Sequence, residues 1–123
     1  MPSPSRLRSL VVVTAIVLGA GWAAQGLRAW TQGRLGEQVA ARAAPGDITM
    51  LSSLVCEYCL AARTWFTAHQ VPFDECFIES DAACAARFAD SAAPGTPVLW
   101  VRGQRLIGFN AQAVADALEP RAR

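Results

Sequence analysis

The 123 residues carry a formal charge of only +1, but that total hides an uneven split. Residues 1–46 hold five arginines against Glu37, a net of +4, whereas residues 47–123 hold six arginines against nine carboxylates, a net of −3. The C-terminal part therefore lacks the basic excess that nucleic-acid binding requires, and the absence of lysine removes one class of catalytic and phosphate-binding side chain.

The first element is an apolar helix. From Leu10 to Leu27 there is no charge and one strongly polar side chain, Gln25, with Arg6 and Arg8 before the run and Arg28 and Trp30 after it. At about 1.5 Å rise per residue, the run approaches the ~30 Å hydrocarbon thickness of a bilayer. Two readings follow. As a signal-anchor (residues 1–30), the helix ties the chain to a membrane once, with the rest on the periplasmic side, outside the cytoplasm. As a signal peptide, it is cut away after the small pair Gly21 and Ala23, leaving a secreted or periplasmic protein. Positive charges flank both ends, so their bias hardly sets the orientation.

Residues 31–46 read as a linker with possible helical turns, ended by Pro45-Gly46. A folded domain of residues 47–119 follows, then a tail at 120–123. Ile48 to Ser52 reads as a strand. Cys56 to His69 reads as a helix whose apolar stripe is Ala61, Ala62, Trp65 and Phe66. Phe73 to Ile78 is strand-like despite Asp74 and Glu75. Ser80 or Asp81 caps a second helix reaching about Ser91. Pro97 to Val101 and Arg105 to Gly108 form a hairpin across Arg102-Gly103-Gln104. Asn110 caps a last helix through Val114, Ala117 and Leu118. The order βαβα–ββα predicts an α/β fold with a four-stranded mixed sheet and flanking helices.

Chemistry concentrates at Cys56-Glu57-Tyr58-Cys59. Unpaired N–H groups and the helix dipole stabilise a thiolate at a helix N-terminus. Cys56 can then attack a disulfide, and Cys59 can resolve the mixed disulfide that forms. A structural bridge and a zinc site use the same spacing, and Cys76 and Cys84 complete four thiols. That second pair is open to three states: a disulfide, two buried thiols, or a second redox relay. His69, the only histidine, falls at the far end of the same helix and reads as structural.

Several landmarks occur together: the Cys56–Cys59 motif, Val71-Pro72-Phe73, Gly95-Thr96-Pro97-Val98 and Gly108-Phe109-Asn110. In this order they resemble the glutaredoxin branch of the thioredoxin-like superfamily, over essentially residues 47–119. The resemblance implies a minimal thioredoxin-like fold and thiol-disulfide oxidoreductase activity, with no tightly bound cofactor. It further implies a cis peptide at Thr96-Pro97 facing the dithiol, glutathione as co-substrate or a disulfide-containing protein as partner, and substrate contacts from Tyr58, Thr96, Pro97 and Asn110.

The chain also departs from that pattern. The lysine common just before the motif is replaced by the uncharged Ser53-Leu54-Val55, and the acidic turn that meets the glutathione ammonium has become Gly108-Phe109-Asn110. Both changes weaken a glutathione site, which leaves Arg63 as a candidate charge or a surface residue. Glu57 stands where a proline is frequent, and its carboxylate opposes a neighbouring thiolate. The dithiol is therefore expected to be more reducing than in Glu57→Pro, and equal reduction potentials would contradict this. The alternative to an enzyme is a non-catalytic binding or assembly module of the same fold, whose cysteines serve a bridge or a metal.

Overall fold

The computed structural model describes Met1 and residues 3–120. The expected tail at 120–123 thus lies, apart from Pro120, outside the described residues. Two compact units are present, residues 1–33 and 34–123.

The first unit holds most of α1 (Pro4–Arg42). Its large apolar side chains, including Leu10, Val13, Ile16, Val17 and Trp22, are exposed. Its most apolar 18-residue window has a mean hydropathy of 1.9 and none of it is buried. By length and composition this helix can cross a membrane, and a signal segment fits the same description.

The second unit begins inside the same helix. Val39 is fully buried, and Leu35, Ala40 and Ala43 pack against the same core. Residues 31–42, expected as a linker, are thus helical, and only a short turn at Pro45-Gly46 precedes the sheet. Gly36 makes this packing possible, because a β-carbon there would run into the imidazole of His69. That ring cannot easily withdraw: His69 ends α2 (Glu57–Ala68) and lies 4.6 Å, centroid to centroid, from Trp65. Gly36→Val is expected to cost about 1–3 kcal/mol by overpacking. An unchanged thermal midpoint would remove this end of α1 from the fold.

The sheet joins β1 (Ile48–Ser52), β2 (Asp74–Phe77), β3 (Val98–Val101) and β4 (Gln104–Ile107) in the order β2-β1-β3-β4. β1 runs parallel to β2 and antiparallel to β3, and β3 is antiparallel to β4. The sheet is therefore mixed, as expected. α3 (Ala82–Asp90) is capped by Asp81 and α4 (Ala111–Ala117) by Asn110, each side-chain oxygen accepting a backbone N–H three residues on, at 3.0 Å. β2 is shorter than the stretch Phe73 to Ile78 that reads as strand.

Alternation along the strands divides the core in two. Ile48 and Met50 of β1 and Leu99 and Val101 of β3 join Val39, Phe66, Val71, Val114 and Leu118. Leu51 and Val98 instead join Cys84, with Cys76, Ile78, Phe88 and Trp100 packed around them. Each face of the sheet is thus covered. Trp100 packs there too, with the Arg87 guanidinium 4.4 Å from its ring centroid.

The β3–β4 turn is only Arg102-Gly103, with both residues at positive φ, +48° and +81°. Such a turn matches the strand twist and suits glycine, whereas an arginine in it is strained. The Arg102 guanidinium supplies compensation. It donates to Asp47 Oδ2 at 3.0 and 3.1 Å, to the Leu118 carbonyl at 2.7 Å and to the Arg42 carbonyl at 2.9 Å. One side chain therefore ties the end of α1, the start of β1 and the end of α4 together. Asp47 is held below its usual carboxylate range, first by the Ala44 N–H and then by Arg102.

Candidate active site

β1 ends at Ser52, and Ser53 to Val55 carry the chain to the start of α2. Cys56 is the N-cap: its backbone is extended and its Sγ accepts the Cys59 N–H at 3.1 Å. That N–H belongs to the set a helix start leaves without intrahelical partners. A thiolate at Cys56 would receive this N–H and the positive end of the helix dipole.

Cys56 and Cys59 form a disulfide with their Cα atoms 5.2 Å apart. Their environments differ sharply. Cys56 is half-buried and Cys59 is wholly buried, so an external disulfide can reach only the first. The Thr96 carbonyl oxygen lies 3.4 Å from Cys56 Sγ, and the Thr96–Pro97 peptide is cis. Tyr58, Thr96 and Pro97 line one groove with Pro94, Gly95, Ile107, Gly108 and Phe109. Cys56 itself lines a second hollow, together with Ser53, Leu54, Val55, Glu57, Leu60 and Arg63.

Residues 48–106 match the family model for glutaredoxin. The domain is glutaredoxin-like. Its fold is similar to that of the thioredoxin-like protein BC3987, in a mutant form, with a TM-score of 0.54 and 22% identity over 59% of this chain and 95% of that one. It is also similar to a glutaredoxin from Archaeoglobus fulgidus, with a TM-score of 0.50 and 14% identity over 60% and 87% of the two chains. At such identities the likeness is one of fold. No curated protein matches the chain.

Of the expected site residues, the glutaredoxin-like domain gathers Cys56, Cys59, Tyr58, Thr96 and Pro97. Asn110 does not join them. It lies outside the groove lining, and its Oδ1 is occupied by the Ala113 N–H of α4. The second pair is a disulfide, Cys76 on β2 to Cys84 on α3, with Cα atoms 6.1 Å apart. Among the described residues, no cluster of three or more His, Cys, Asp or Glu side chains is arranged to hold a metal ion. His69, at the opposite end of α2 from Cys56, packs on Trp65.

Arg63 is a partly exposed but paired charge. Its Nε and Nη2 donate to the two carboxylate oxygens of Glu75, at 2.7 and 2.8 Å, and Ser52 Oγ donates to the same carboxylate at 2.7 Å. The hydrogen bonds that it donates to Glu75 raise Arg63 above its usual value. This network pins α2 to β1 and β2. The acidic residue that made β2 a poor strand by pattern is thus the one that anchors the active helix.

Glu79 plays a smaller part on the loop. It accepts hydrogen bonds from Ser53 Oγ and, at 3.2 Å, from the Leu54 N–H. The Ser53 bond is the main reason that its carboxyl is held below the usual value. A lowered folded-state value means that this contribution is complete above the ordinary glutamate range and is lost as pH falls through the folded value. Below that range, the protection of the Leu54 amide relative to its intrinsic exchange rate is therefore expected to fall, and Glu79→Gln should flatten the response. A Leu54 exchange rate with the same acid dependence in both proteins would contradict this.

Proposed function

We propose that the chain is a thiol-disulfide oxidoreductase whose reacting pair is Cys56–Cys59. The observation that carries this reading is the asymmetry of the pair: an accessible sulfur at a helix N-cap, bonded to a buried one. In the reducing direction, the Cys56 thiolate attacks one sulfur of a substrate disulfide. A Cys56–substrate bond forms, the substrate S–S bond breaks, and the departing thiolate takes a proton. Cys59, as thiolate, then attacks Cys56 Sγ, which closes the observed disulfide and releases the second substrate thiol. Two electrons pass from the dithiol to the substrate, and the same steps run backwards oxidise a dithiol. Tyr58, Thr96 and Pro97 border the groove where the substrate lies.

The second bridge bears on the compartment. A Cys76–Cys84 disulfide persists best in an oxidising environment, which supports a domain outside the cytoplasm. The exposed apolar helix supports a single-pass membrane anchor, and cleavage after Ala23 is the competing fate. No tightly bound cofactor is required. Glutathione or a protein disulfide is the co-substrate, and the lost lysine and acidic turn favour the protein. Reduction of insulin disulfides by the full chain tests the reading. Turnover supports it, whereas no turnover would leave the dithiol a structural element of a binding module.

A further inference from the structure

The folded unit leaves its large hydrophobic side chains exposed in one region. Among its described residues these are Leu54, Val55, Tyr58, Leu60 and Ile107, with Val55 at 89% and Tyr58 at 75% exposure. Leu54, Val55 and Leu60 line the hollow that contains Cys56. Tyr58 and Ile107 line the groove whose Thr96 carbonyl approaches Cys56 Sγ. The apolar surface of a small domain is thus concentrated as a collar around one reactive sulfur. Contiguous exposed apolar surface of this kind marks a binding site.

Charge narrows the occupant. The two concavities beside Cys56 contain one cation, Arg63, whose guanidinium is bidentate on Glu75. The carboxylate of Glu57 stands in the same hollow, and that of Glu79 lies against Leu54. An anionic thiol such as glutathione, with two carboxylates and one ammonium, therefore meets negative charge and apolar side chains.

We propose that the substrate is a cystine embedded in a polypeptide segment with apolar flanking residues and no net negative charge, seated on this collar. The assignment rests on the thiol-disulfide reading above. The apolar flanks cover the collar while Cys56 forms the mixed disulfide with the segment's cysteine, and Cys59 then releases the segment as a thiol. The segment's cystine is reduced and the Cys56–Cys59 dithiol is oxidised.

The test uses the full chain in neutral lipid nanodiscs, reduced beforehand and freed of reductant, in single turnover. Four disulfides are compared: hydroxyethyl disulfide, glutathione disulfide, and symmetric peptide disulfides carrying Val-Cys-Leu or Asp-Cys-Asp. The Val-Cys-Leu disulfide is expected to react about tenfold or more faster than glutathione disulfide and the Asp-flanked peptide, the gain from covering one apolar side chain. In the double variant Leu54→Ser and Val55→Ser, its rate relative to hydroxyethyl disulfide should fall by about tenfold. Equal peptide rates, faster glutathione disulfide, or an unmoved ratio would overturn the proposal. Equal peptide rates are also the outcome if lipid covers the collar. Failure to react even with hydroxyethyl disulfide would sink the thiol-disulfide reading itself, and this assignment with it.

Discussion

Cys56→Ser is expected to lower the rate of disulfide reduction by the full chain by roughly a thousandfold or more, to the uncatalysed background. The physical reason is specific to position 56. A thiolate there accepts the Cys59 N–H at the start of α2, whereas a serine hydroxyl at neutral pH stays protonated and has no base beside it. The chain's only histidine is at the other end of the helix. Cys59→Ser should behave differently, because its Cys56 still attacks once but cannot be released from within. Turbidity of reduced insulin reads both variants. An undiminished rate in Cys56→Ser would move the chemistry to Cys76–Cys84, despite the burial of Cys84.

The second large effect concerns what holds the site in place. Phe66→Ala is expected to destabilise the folded unit by about 3–5 kcal/mol, as deletion of a buried phenylalanine does. Phe66 is fully buried, and its ring centroid lies 5.7 Å from Trp65, 4.9 Å from Phe73 and 5.3 Å from Phe109. These contacts join α2 to the start of β2 and to the groove wall. A domain of this size has a total stability of about 5–15 kcal/mol, so the variant should be partly unfolded at modest urea. Phe66→Leu, which keeps most of the volume, should cost considerably less. A loss below about 1 kcal/mol for the alanine variant would place Phe66 outside the load of the core.

The sequence carries the local parts of this fold openly. β1 occupies Ile48–Ser52 as its apolar run indicates, Asp81 and Asn110 cap the helices they precede, and Arg102-Gly103 turns the hairpin. Each depends on neighbouring residues, so each is written locally. Parts that depend on distant partners are less legible. The end of α1 is rich in charged and small residues and reads as linker, although Leu35, Val39 and Ala43 recur at helical spacing. That repeat was the available signal.

Glu75 reads as an interruption of β2 because its partners, Arg63 and Ser52, are supplied by other elements. Asn110, within the Gly108-Phe109-Asn110 landmark, accepts the Ala113 N–H at its Oδ1 and so caps α4. The spacing of Cys76 and Cys84 left three states open, and only the approach of α3 to β2 brings the two sulfurs together.

The most direct measurement is trapping. Full-length Cys59→Ser, whose Cys56 is a free thiol without any reducing step, is mixed with a cystine peptide, digested without reductant and mapped by mass spectrometry. One peptide adduct on Cys56 is expected, with Cys76 and Cys84 still joined to each other. An adduct on Cys76 or Cys84, or none at all, would contradict it.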